Sequence, residues 1–108
     1  MKQATKDSGL FNMYMKKYET DGHVVVAVCD KDILGKKFKD GIVVLKLDEG
    51  FYKGEEACEN EVKEALLCAT IANIAGKRSI ACAVGCGSID PDNVIFIEGI
   101  PHAQMVQI

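Results

Sequence analysis

Apolar and polar positions alternate over residues 11–18, the period of a half-buried strand. Asp21-Gly22 follows. Asp-Gly between apolar runs predicts a tight hairpin, because such a turn needs positive φ. Residues 23–29 are the returning strand, and the unbroken run Val24-Val25-Val26 predicts burial on both faces near the strand's centre. From Asp30 to Gly35 the chain predicts a short capped helical turn, with an Asp accepting from free backbone N–H groups and Gly35 closing it in a left-handed conformation. Residues 36–40 form a basic connector that ends at Gly41, and residues 42–47 a third strand. Asp48, Glu49 and Gly50 then make a loop. Phe51-Tyr52-Lys53-Gly54 is a short aromatic element, extended at best.

The period changes after that. Asn60 is the expected N-cap of a helix, with Glu61 and Glu64 near its positive end and Val62, Ala65, Leu66 and Ala69 on one face. A second helix is expected over residues 70–84. Its wheel places Thr70, Asn73 and Lys77 on a polar side and Ile71, Ala72, Ala75, Gly76, Cys82 and Ala83 opposite. Gly85 and Gly87 stop it. Asp90-Pro91-Asp92-Asn93 is a turn, residues 94–97 a strand, residues 98–102 a turn, and residues 103–108 a last strand.

Three strands, two helices and two strands in that order predict an α+β fold. It has a small mixed or antiparallel sheet of about five strands, with the two helices packed on one face. A chain of 108 residues fits one domain, here residues 11–108, and residues 1–10 are polar and expected to be frayed.

Composition sharpens this reading. Hydrophobic residues make up 48% and charged residues 27%, a globular balance; Trp is absent and aromatics are only 6%, so Val, Ile, Leu and Ala must build the core. The net charge of −3 argues against a surface that grips nucleic acid all round. The charge is uneven: residues 1–47 carry nine Lys against six acids, whereas residues 48–64 carry seven acids against Lys53 and Lys63. Such asymmetry can steer a partner locally. Five cysteines, an odd number, without an apolar leader at the start, read as reduced thiols in a cytoplasmic setting. The most apolar stretch, residues 65–87, is broken by Asn73, Lys77 and Arg78, so no membrane span is expected.

Candidate chemistry is sparse. Cys82 and Cys86 lie on the apolar side of the second helix. No second close pair accompanies them, which favours packing over a metal site, and no cofactor is implied. Gly85-Cys86-Gly87 follows a helix and so lacks the strand-to-helix context of a dinucleotide fingerprint; Gly76-Lys77-Arg78-Ser79 lacks the first glycine of a phosphate loop. Lys77 and Arg78, with Asn73, form a polar patch suited to phosphate or carboxylate. Lys31, Lys36, Lys37 and Lys39 surround Phe38 in the most basic segment, although Asp30, Asp32 and Asp40 dilute it. Glu98-Gly99-Ile100-Pro101-His102-Ala103-Gln104 places His102 directly after a turn, next to Gln104. An imidazole held there suits acid, base, ligand or hydrogen-bonding work, or binds the backbone and fixes the terminal hairpin. His23 beside the first hairpin reads as plain surface.

Val-Ala-Val-Cys-Asp at 26–30, Leu34-Gly35-Lys36, Phe51-Tyr52-Lys53-Gly54, Ala69-Thr70-Ile71-Ala72-Asn73 with Gly76, and above all Pro101-His102-Ala103-Gln104 resemble the small archaeal family known as domain of unknown function 424. The resemblance runs from about Phe11 onward. It implies an archaeal cytosolic protein and, at most, a link to translation; it carries no activity. Its matching site positions are Asn73, Gly76, His102 and Gln104, with Gly35 and Tyr52. With no complete catalytic set in the chain, the expected function is a non-catalytic binding module for a protein or ribonucleoprotein partner. It uses Lys36, Lys37, Asn73, Lys77, Arg78, His102 and Gln104. The alternative is a small enzyme of hydrolytic type, with His102 as acid or base.

Overall fold

Asp21 and Gly22 both take positive φ, +50° and +79°, as the Asp-Gly signal requires. They fold β1 (Met13–Thr20) back on β2 (His23–Asp30), in a register running from Met13 opposite Asp30 to Thr20 opposite His23. The computed structural model describes residues 11–107, so the expectation for residues 1–10 lies outside the described residues.

After a 3-10 turn at Lys31–Ile33 come β3 (Lys37–Asp40) and β4 (Val43–Lys46). Residues 36–40 are therefore not a connector. Gly41, at φ +63°, turns them into a hairpin in which Phe38 opposes Leu45 and packs inward. Phe51 and Tyr52 belong to one helical turn, α1 (Glu49–Tyr52), because the Asp48 side chain accepts from Gly50 N–H at 2.8 Å and caps it. β5 (Glu55–Ala57) leads into α2 (Glu59–Cys68). The cap position of α2 is Cys58, not Asn60: Glu61 reaches back to the Cys58 N–H at 3.0 Å.

The largest departure concerns residues 70–84. They form β6 (Ile71–Ala75) and then α3 (Lys77–Gly85), not one helix. Gly76 separates them at φ +106°, which no right-handed helix contains. Thr70 fixes the start of β6, accepting from the Val24 N–H at 2.9 Å and donating to the Val24 carbonyl at 3.2 Å. His23, expected as plain surface, is half-buried and lies 3.1 Å from the same hydroxyl. β7 (Ile95–Ile97) and β8 (Ile100–Val106) complete the chain. Their turn is only Glu98-Gly99, at φ +52° and +79°, so His102 sits within a strand.

Six strands form one mixed sheet in the order β5-β1-β2-β6-β8-β7. The β2–β6 pair is parallel and the others are antiparallel. The fold is thus α+β, as expected, with a larger sheet than expected and a separate hairpin. One sheet face (Met13, Val26, Val28, Ala72, Ile74, Ala103) buries α2 and α3 through Val62, Leu66, Ile80 and Ala83. The other (Ala27, Cys29, Ala75, Ile97) is covered by Leu45 and Leu47 from the hairpin segment and by Tyr52 of α1. Both long helices therefore lie on one face, leaving the hairpin to roof the opposite one.

Candidate functional site

The residues singled out from the sequence fall in three places. The first is the end of the parallel pair, where β2 delivers Asp30 and β6 delivers Gly76 to the start of α3. Asp30 is 4% exposed. Its carboxylate accepts from the backbone N–H groups of Arg78 and Ser79, at 3.0 and 2.9 Å, and from the Ser79 hydroxyl at 2.7 Å. An anion bound to a helix start would take the same N–H groups. Here a side chain of the protein itself fills that position, which is why Gly-Lys-Arg-Ser is no phosphate loop. Lys77 and Arg78 are exposed and border a cavity of about 430 Å³ with Asp30, Asp32, Ile33 and Ile100. Its mixed charge gives it no preference for a simple anion.

The second place is a cleft of about 400 Å³ between the β3–β4 hairpin and β7–β8. Val43, Leu45, Ile95 and Ile97 form its walls, and His102, Gln104 and Asn93 are its polar lining. His102 and Gln104 are two apart on β8 and share a face. Asn73 lies directly opposite Gln104 on β6, and Gln104 Nε2 donates to Asn73 Oδ1 at 2.7 Å. His102 Nδ1 lies 3.0 Å from the Ile74 carbonyl. A carbonyl only accepts, so Nδ1 carries the proton and Nε2 of the neutral ring is an acceptor. Burial holds the imidazole below its ordinary pKa, opposed by that backbone bond. Asn73, Gln104 and His102 thus converge, while Lys77 and Arg78 stand apart. Lys36 and Lys37 occupy the third place, the hairpin.

The lowered His102 pKa makes an acid-side prediction. The unfolded chain binds this proton more readily than the folded one, so stability rises with pH across the interval up to the ordinary value of 6.5. Full stability is expected above that value, with loss as pH falls below it. Urea midpoints at neutral and mildly acidic pH should differ more for the wild type than for His102→Gln. Equal differences would refute the assignment.

Burial, followed by the negative charges of Asp30 and Asp32, pushes Cys29 up to about 12, and burial also raises Cys82. Cys82 is buried and Cys86 packs against the same core. Among the described residues no group of three or more His, Cys, Asp or Glu is placed to hold a metal ion. Among them, too, no helix is long and apolar enough to cross a membrane.

Sequence reasoning passed over Asp30 as the cap of α3, Ser79 as its buried partner, Asn93, and the apolar hairpin tip. A strand ending in Asp, and later a strand-Gly-helix segment, was the available signal for the first two.

A family model described as "Protein of unknown function (DUF424)" matches residues 18–108. Among solved structures, the chain is similar to an uncharacterized conserved protein from Methanopyrus kandleri, with a TM-score of 0.73 and 26% identity, covering 86% of this chain and 89% of that one. No curated protein matches the chain significantly.

Proposed function

The chain belongs to the DUF424 family, and for it we propose a non-catalytic binding module that docks a protein or ribonucleoprotein partner on the β3–β4 hairpin. The carrying observation is the hairpin's outer face. Lys37 stands directly opposite Lys46, and Lys39 opposite Val44. Like charges directly opposed in a sheet are destabilising. No salt bridge to Lys36, Lys37, Lys39 or Lys46 occurs among the described residues. Glu98 approaches them, its carboxylate accepting from the Lys39 backbone N–H at 2.6 Å, but the lysine residues are exposed and open to something outside the fold. Beside them the tip exposes Ile42 at 98%, with Val43, Val44, Ile95 and Phe96 also exposed. An apolar patch flanked by lysines is a docking surface for a partner with an acidic rim, such as a ribosomal particle.

The second reading, a small hydrolytic enzyme, draws on the convergence of His102, Gln104 and Asn73. It is weaker, because no Ser, Thr, Cys, Asp or Glu lines that cleft to act as nucleophile or acid.

Sedimentation with purified archaeal ribosomal subunits tests the hairpin reading. Binding is expected at low salt and release at high salt, and the Lys36→Glu/Lys37→Glu/Lys39→Glu variant should bind at least about tenfold more weakly. Ile42→Asp, at an exposed tip, should weaken binding without lowering stability. Binding that survives both changes would refute the hairpin as the docking element.

A further inference from the structure

We propose that the cleft between the hairpin and β7–β8 binds an uncharged, flat, hydrogen-bonding heterocycle, a nucleobase presented as a nucleoside or as an unstacked base of single-stranded RNA. The RNA form of this ligand rests on the ribonucleoprotein reading; the nucleoside form does not.

Charge, hydrogen bonding, size and surroundings agree on that class. No Asp, Glu, Lys or Arg lines the cleft, so a charged ligand would lose hydration there without a partner. The polar groups are two carboxamides and an imidazole. His102 offers Nε2 as an acceptor, since Nδ1 is held by Ile74. Gln104 has one N–H committed to Asn73, leaving its carbonyl oxygen and a second N–H. Asn93 adds a donor and an acceptor of its own. Such a mixed set suits the edge of a base, which alternates donors and acceptors. Apolar residues, Val43 and Leu45 on one wall and Ile95 and Ile97 on the other, suit its flat faces. The volume of about 400 Å³ lies within the range of small-molecule sites, about 300–1,000 Å³. β7 pairs with β8 only over Ile100–His102, so a peptide strand competing for this region would have to add to the open side of β8 beyond His102 or to the outer edge of β7. For RNA, the lysines of the hairpin's outer face lie on the same element as one wall, with the Glu98 carboxylate bound to the Lys39 backbone N–H at 2.6 Å beside them.

The test uses adenosine, guanosine, cytidine and uridine at millimolar concentration, and single-stranded octaribonucleotides of each base. Binding is read by NMR at the His102 ring nitrogens and the side-chain amides of Asn93 and Gln104. At least one nucleoside is expected to shift all three, and Gln104→Ala or Asn93→Ala, both exposed and so expected to fold, should weaken it about tenfold. The hairpin charge-reversal variant should bind the nucleoside unchanged. A nucleoside that binds while its octamer does not identifies a free ligand; an octamer that binds more tightly and loses that gain on charge reversal identifies RNA. The proposal is overturned if no probe shifts these signals, or if binding is indifferent to both amide substitutions. RNA or ribosomal binding lost on lysine reversal but untouched by Gln104→Ala would overturn the cleft and leave the hairpin reading standing.

Discussion

Gly76→Ala is expected to destabilise the protein by about 3–5 kcal/mol, enough to leave a large fraction unfolded when a domain has only about 5–15 kcal/mol in hand. Two effects act together. The residue sits at φ +106°, where an L side chain is strained by about 1–3 kcal/mol. Its Cβ would also lie 2.4 Å from Asp30 Cγ and 2.7 Å from both carboxylate oxygens. Asp30 is short and anchored by three donors, so it moves aside only by giving up charged hydrogen bonds, at about 1.5–3 kcal/mol each. Gly22→Ala separates the two effects. Gly22 is at φ +79° with nothing within 4 Å of an added Cβ, so that variant carries strain without a clash. Urea or thermal unfolding should show Gly76→Ala at least about 2 kcal/mol worse than Gly22→Ala. Equal losses would mean that the carboxylate is not held as described.

Asp30→Ala is the second large effect, at about 3–4 kcal/mol. It removes the cap of α3 and leaves the Ser79 hydroxyl, on a residue that is 0% exposed, without its acceptor. Hydrogen exchange at the Ser79 amide should accelerate before the rest of the sheet does. The two substitutions should not add. Once the carboxylate is gone, the alanine at position 76 meets less obstruction. The double variant should therefore be at least about 1 kcal/mol more stable than the sum of the single losses implies. Strict additivity would show that Gly76 and Asp30 do not contact each other.

The α+β class was readable because its strongest local signals were right. Asp-Gly forms a hairpin whatever surrounds it, and the apolar side of α3 buries Ile80, Cys82 and Ala83 as a helical period requires. β6 was not readable. Ile-Ala-Asn-Ile-Ala is short, and its alanines suit helix and strand alike, so burial between β2 and β8 decides its state. Gly76 then looks like a small residue in a helix, although it is the joint between two elements. The same mistake scattered the candidate site. With residues 70–84 taken as a helix, Asn73 shares a face with Lys77. As a strand residue it faces Gln104, and Lys77 belongs to another cavity. His102 and Gln104 were correctly paired in sequence, but their surroundings come from the hairpin and Asn93, which no local pattern connects to them.

The parallel β2–β6 pair also shapes how the chain reaches its fold. Thr70 and Val24, which lock that pair, are 46 residues apart, whereas β1 and β2 meet across a two-residue turn. Closing the longer loop costs entropy before the centre of the sheet returns any contact. Folding should therefore begin with the β1–β2 hairpin and wait on the arrival of β6, whose second edge stays open until β8 pairs with it. The slowest step of refolding would then be assembly of the sheet's middle, and substitutions in β6, such as Ile74→Ala, would slow it more than equally destabilising ones in the β3–β4 hairpin.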